Sequence, residues 1–147
     1  MADPQDRRDA NRRTARQIFD VWDGDDLDAL DDLLAEDVTL HAPEGVRGTV
    51  HGRDAYRNTL RMIRTGLPDL AFEADEVVAE GDVVMASCTF RGTHDGDLLG
   101  IDPTGAQIEV AWFGSYRFED GRVVEVTSLP DLFGALLQLG AIDPPGE

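Results

Sequence analysis

Apolar positions change their spacing along the chain, and the changes mark its elements. Ala15, Ile18, Phe19 and Trp22 fall at i, i+3, i+4 and i+7, one stripe of a predicted helix from about Asp6 to Trp22. Asp9 and Arg13 can pair on its exposed face, and Gly24 stops it. Leu27, Leu30, Leu33 and Leu34 give a short second helix opening at Asp25 or Asp26. Val38 to His41 reads as a short strand ended by Pro43. Tyr56, Leu60, Ile63 and Leu67 share one face of a third helix, Gly52 to Thr65, closed by Gly66 and Pro68. Arg53, Arg57, Arg61 and Arg64 fall on its exposed face.

Beyond Leu70 the period shortens to two. Leu70 to Glu80 and Asp82 to Arg91 read as strands around a tight turn at Gly81. Gln107 to Phe118 and Arg122 to Ser128 flank Asp120-Gly121, a dipeptide that favours a hairpin. Between the hairpins runs a Gly-rich crossing, Gly92 to Gly105, in which Asp102-Pro103-Thr104-Gly105 fits a type I turn. A last helix runs from about Asp131 to Leu139, ended by Gly140. This order predicts an α+β fold: a curved antiparallel sheet packed against three to four helices, enclosing one largely apolar pocket. The long strand carries Ile108, Val110, Trp112, Tyr116 and Phe118 on one face but Ala111 and Phe113 on the other. A strand apolar on both faces needs two covers, so a homodimer through the exposed sheet face is expected.

Length and charge narrow the picture. The 147 residues fit a single domain, with a core over about residues 10 to 140. The net charge is −17, from 30 acidic and 13 basic residues, and every basic residue is arginine. That field repels phosphate backbones and anionic lipid, which excludes nucleic acid and membranes as partners. The charge suits either a surface for cations or basic partners or a solvated shell of the halophilic kind; because the acid is spread along the chain, the shell is the expectation, and most aspartates then say nothing about chemistry. Met1 to Asp9 lacks the apolar stretch of a signal peptide, and a cytoplasmic location is expected. The single cysteine, Cys88, lies in a predicted strand and reads as a small core residue.

Candidate chemistry is sparse. No phosphate-binding loop, dinucleotide fingerprint, nucleophile elbow or zinc helix occurs, and the acidic stretches fail the calcium-loop template. No metal site is expected. Trp22, Tyr56, Trp112 and Tyr116 suit the wall of a ligand pocket, as amphipathic aromatics, and equally suit a core. His41 ends a strand and His94 opens the crossing, where both could face a cavity mouth; His51 precedes a helix and reads as exposed. Asp131 follows Pro130 at the start of an apolar helix. It is either a helix cap or a general acid/base at the pocket floor.

The run from Gly92 through Thr93-His94-Asp95-Gly96 to Gly100-Ile101-Asp102-Pro103-Thr104-Gly105 resembles the signature of the SnoaL-like polyketide cyclases. The segments Tyr116 to Glu125 and Asp131 to Gly140 are similar to that family's next hairpin and terminal helix. The resemblance implies a cone-shaped fold of the nuclear-transport-factor-2-like superfamily and a cofactor-free intramolecular aldol closure. Asp131 is the position matching the family's acid/base, and His94 matches the motif histidine. Trp22, His41, Tyr56, Trp112 and Tyr116 would contact an apolar carbonyl compound. Two departures stand out. Thr127 and Ser128 lie where a bulky aromatic often precedes the aspartate, and Ala42 occupies the place of the steroid-isomerase base. A non-catalytic binding domain, and a hydrolase or hydratase in the same cone, remain open alternatives.

Overall fold

The computed structural model describes residues 3–146. Helix α1 (Pro4–Asp23) starts ahead of the predicted position because Asp3 caps it, accepting the Gln5 N–H at 2.7 Å. It buries Ala15, Ile18 and Phe19, with Trp22 half-buried at its end. Asp9 pairs with Arg12, one residue earlier than expected. The second helix is a 3₁₀ turn (Leu27–Ala29) running into a single α-turn, α2 (Leu30–Leu33). Helix α3 (Arg53–Gly66) follows a short hairpin, and α4 (Leu132–Gln138) ends the fold.

Six strands among the described residues form one open sheet: β1 (Leu34–His41), β2 (Thr49–His51), β3 (Ala71–Glu80), β4 (Val83–Thr93), β5 (Gln107–Glu119) and β6 (Arg122–Pro130). Their order is β2-β1-β6-β5-β4-β3. The fold is α+β, but the sheet is mixed and not purely antiparallel. Strand β1 pairs in parallel with β6, Leu40 against Val126 and His41 against Thr127. The antiparallel hairpins stand where the turns predict them. Asp120 and Gly121 both take positive φ, 50° and 80°, the backbone that matches the twist of the flanking strands. Strand β5 alternates buried and exposed along its length, so Ile108, Val110, Trp112, Tyr116 and Phe118 all point to the helix side.

Side chains fasten the helices over that face. Gln138 closes a two-way clamp on β5, accepting the Glu109 N–H at 2.7 Å and donating to the Glu109 carbonyl at 2.8 Å. The Asp23 carboxylate accepts the Phe72 N–H at 2.8 Å and ties the end of α1 to β3. Three of the four arginines assigned to the exposed face of α3 are fasteners. Arg53 donates to the Asp31 and Leu34 carbonyls, Arg57 pairs with Asp31 and Asp54, and Arg64 donates to the Trp22 carbonyl. Only Arg61 is exposed. The opposite sheet face leaves Val78, Met85, Phe113 and Leu129 at 61%, 54%, 60% and 66% exposure, an apolar patch with no cover among the described residues. No helix among the described residues is long and apolar enough to cross a membrane.

The Gly-rich crossing packs back onto the end of α3. The Asp95 and Gly96 N–H groups both donate to the Gly66 carbonyl at 3.2 Å. A Cβ on Gly66 would lie 2.6 Å from Leu98 Cβ, and one on Gly96 would overlap the Thr65 carbonyl oxygen. The glycines of this motif are demanded by close backbone approach. Gly96→Ala should lower folding stability by about 3 kcal/mol, read as a shift in the denaturant midpoint.

Candidate functional site

One pocket lies between the inner sheet face and helices α1, α3 and α4. Its free interior is about 80 Å³. Trp22 enters from α1, while Tyr56, Thr59 and Ile63 enter from the first three turns of α3. Leu40 and Ala42 come from the β1 end, Ile108, Val110 and Trp112 from β5, and Val126 and Ser128 from β6. Leu98 and Leu99 of the crossing close one side, and Pro130, Leu132 and Ala135 another. The walls are almost wholly apolar. Neither a carboxylate nor an imidazole is among the lining side chains.

The polar atoms present are paired in a particular way. Trp22 Nε1 donates to Tyr56 Oη at 2.9 Å, and Trp112 Nε1 donates to Ser128 Oγ at 2.5 Å. Thr59 Oγ1 donates back to the Ala55 carbonyl of its own helix at 3.0 Å. The local sequence explains the Trp112 pose. A Cβ on Gly114 would lie 2.4 Å from Trp112 Cη2, so glycine two residues along the strand leaves room for the ring to lie across it. Ser128 is the cross-strand partner of Gly114, which brings its hydroxyl to the indole N–H.

Expected site residues divide sharply. Trp22, Tyr56 and Trp112 line the pocket. Tyr116 does not: it is fully buried behind the wall, edge-on to Phe19 and Trp112. His41 points to the other sheet face, where its Nε2 meets Glu125 Oε2 at 3.1 Å; strand alternation sends Leu40 and Ala42 inward and His41 outward. The His41 ring holds the Glu125 carboxyl below the usual carboxylate range, with Arg117 adding to the effect. His51 is exposed, as expected.

His94 is fully buried and lies outside the lining. Its Nδ1 accepts the Thr104 N–H at 3.2 Å and lies 2.9 Å from Thr104 Oγ1. A ring nitrogen that accepts a backbone N–H carries the lone pair, which assigns the proton to Nε2. The Gly105 N–H donates to the His94 carbonyl rather than back to Asp102. The histidine is thus the post around which the crossing folds. Asp131 is exposed and absent from the lining, and its carboxylate caps α4 by accepting the Gly134 N–H at 2.9 Å. Its chain neighbours Pro130 and Leu132 do line the pocket, which puts Asp131 at the pocket's edge and not at its floor. Ser128 and Thr59 are lining residues that pattern reading does not single out. Among the described residues, no group of three or more His, Cys, Asp or Glu side chains stands together in a way that could hold a metal ion.

Burial sets the protonation of the phenols. The Tyr56 hydroxyl is pushed up to about 12, chiefly by desolvation, against the lowering effect of the Trp22 N–H. Desolvation first, and then Tyr56 and Cys88 as neighbours, hold Tyr116 well above its ordinary value. Among the described residues the Tyr116 hydroxyl meets no partner within strict hydrogen-bond geometry, and the Tyr56 hydroxyl is its nearest polar neighbour. Burial, with Asp75 adding to it, pushes the Cys88 thiol to about 12, which leaves it unreactive. Tyr56 and Tyr116 are the only tyrosines of the chain. The near-ultraviolet phenolate band should therefore stay flat through about pH 10, where free tyrosine titrates. Because the folded value lies above the unfolded one, the stability contributed by the neutral phenols is complete below about pH 10 and is lost as pH rises towards 12. A phenolate transition near pH 10 without unfolding would contradict this.

Comparison with known proteins agrees with this architecture. The aklanonic acid methyl ester cyclase DnrD of Streptomyces peucetius is 27% identical over 108 residues, covering 73% of this chain and 71% of that one. The crystal structure of IdmH from Streptomyces antibioticus, proposed as a polyketide cyclase, superposes with a TM-score of 0.79 at 28% identity, over 88% of this chain and 98% of that one. A candidate SnoaL-like polyketide cyclase from Jannaschia sp. CCS1 shares the fold, with a TM-score of 0.85 at 22% identity over 97% of this chain and all of that one. The sequence profile of the SnoaL-like polyketide cyclases matches residues 12–139, and the chain belongs to that family.

Proposed function

We propose that this protein takes an apolar carbonyl compound, of the kind polyketide chemistry provides, into the pocket between the sheet and α3. The observation that carries this reading is the lining: aliphatic and aromatic walls, interrupted only by hydroxyls and indoles. Such a wall strips water from an apolar ligand and orients it through few polar contacts. An interior of about 80 Å³ is well below the ~300 Å³ at which drug-sized pockets begin, so a single-ring ligand enters with the least rearrangement. Both tryptophans of the chain line the pocket, so intrinsic fluorescence reports occupancy. Titration with small aromatic ketones should give a saturable change, and titration with sugar phosphates should give none. No saturable change with any apolar probe would overturn the reading.

The second reading is cofactor-free ring closure with Asp131 as the base. Its support is the family, together with the position of Asp131 between two lining residues. An intramolecular aldol needs a base beside the acidic carbon and donors for the developing oxyanion. Asp131→Asn separates the two readings, because asparagine caps a helix about as well as aspartate. Under the catalytic reading, this variant keeps its fold and its ketone affinity but closes a model tricarbonyl compound at least about 10²-fold more slowly. Equal rates for the two proteins would leave binding alone.

We also propose that a second copy of the chain covers the outer sheet face. The patch is built of two cross-strand pairs, Val78 with Met85 and Phe113 with Leu129. Ser87 and Ser115 lie between the two pairs, across the β4–β5 register. Among the described residues Glu76 is the one charged side chain lining this patch, so on a chain of net charge −17 it imposes less self-repulsion than the other faces would. Light scattering should give the mass of a dimer, and Phe113→Glu should give that of a folded monomer. A monomeric parent protein would overturn the proposal.

A further inference from the structure

Two pocket hydroxyls are each backed by an indole. Trp22 and Tyr56 lie 34 residues apart in sequence, and Trp112 and Ser128 lie 16 apart. Both contacts therefore come from the tertiary fold. A hydroxyl carries one proton and two lone pairs. In each pair the indole N–H fills one lone pair. Among the described residues no acceptor lies within hydrogen-bond geometry of the Ser128 hydroxyl proton, and the Tyr56 hydroxyl has one further polar neighbour, the Tyr116 hydroxyl, which itself has no partner within that geometry. The remaining pocket hydroxyl, on Thr59, is spent on its own helix, and both indole protons are spent on Tyr56 and Ser128. A hydroxyl that accepts a hydrogen bond becomes a stronger donor, and the apolar surroundings add to the effect. The Ser128 proton is thus polarised and unclaimed, and the Tyr56 proton has only the neighbouring Tyr116 oxygen to turn to.

This inventory discriminates between ligands. A carbonyl oxygen has two lone pairs and no proton, so it satisfies a free O–H without adding an unmet donor. A hydrocarbon of the same shape leaves both protons stranded in an apolar wall. A ligand that offers only donors can use the second hydroxyl lone pairs, but it too strands the protons. Gly114 belongs to the same device, since it lets the Trp112 ring reach Ser128.

We propose that Tyr56 and Ser128 are the specificity-determining pair of this pocket, donating to the carbonyl oxygens of an apolar ketone or quinone and selecting it over a hydrocarbon of equal shape. The proposal rests on the pocket-binding reading given above.

Acetophenone and ethylbenzene are near-isosteric probes that differ at the carbonyl. Calorimetry should show acetophenone binding at least about tenfold more tightly to the parent protein. The infrared carbonyl stretch of bound, carbonyl-labelled acetophenone should fall below its value in hexane. Tyr56→Phe and Ser128→Ala should each reduce the preference and raise the stretch, while Ser128→Thr, which keeps a hydroxyl, should retain both. The measurements on the parent protein stand even if a variant fails to fold. Equal binding of the two probes, with the carbonyl stretch at its hexane value, overturns the donor pair and leaves the pocket reading standing. Failure of both probes to bind overturns the pocket reading and this one with it.

Discussion

An indole N–H has one proton to give, and in an apolar wall it must find an acceptor or bear the cost of desolvation. Much of the site follows from that constraint. Trp22 and Trp112 both turn their rings into the interior, and each finds a hydroxyl on a different element. The first bond ties the end of α1 to α3. The second locks β5 to β6 at the point where the sheet meets α4. Phe72 sits between the two indoles, 5.7 Å from one ring and 5.5 Å from the other, so the polar pairs are joined through a continuous aromatic wall. A pocket bounded in this way is held by bonds that cross the fold.

Local patterns made much of this visible in advance. The stripe of α1, the apolar face of α3, the two hairpins and the alternation of β5 are all written in short-range spacing, and all are found. Pairings that depend on distant segments left no such trace. Strand β2 is three residues long, and the parallel β1–β6 contact joins segments some 85 positions apart, so no turn announces it. The arginines of α3 read as solvent-facing by position. Arg57 is nonetheless mostly covered, at 12% side-chain exposure, because Asp31 and Asp54 reach it. Long side chains can fold back over a helix surface in ways that a wheel does not show.

The site was less legible than the fold, for a related reason. Strand parity decides whether a residue sees the pocket, and parity is certain only once the register is known. His41 falls on the wrong side by one residue. His94 lies in a crossing with no periodicity, and its burial follows from packing against the end of α3. In the sequence Ser128 stands out only as a departure from the aromatic that the SnoaL-like pattern often places there. Its contribution became evident through its pairing with Gly114 and Trp112. Asp131 reads as a cap or as a base; the geometry shows the cap contact and a place at the pocket's edge.

The chain contains no lysine, and the pocket wall offers only hydroxyls and indoles. A carbonyl carbon is most readily trapped by a primary amine or a thiolate. Apart from the chain's own N-terminus there is no amine, and the one thiol is buried and held protonated. An aldehyde or ketone in this pocket therefore meets no nucleophile able to form an imine or a thiohemiacetal. Its occupancy is set by reversible contacts alone, and its residence time by how fast the walls let it go.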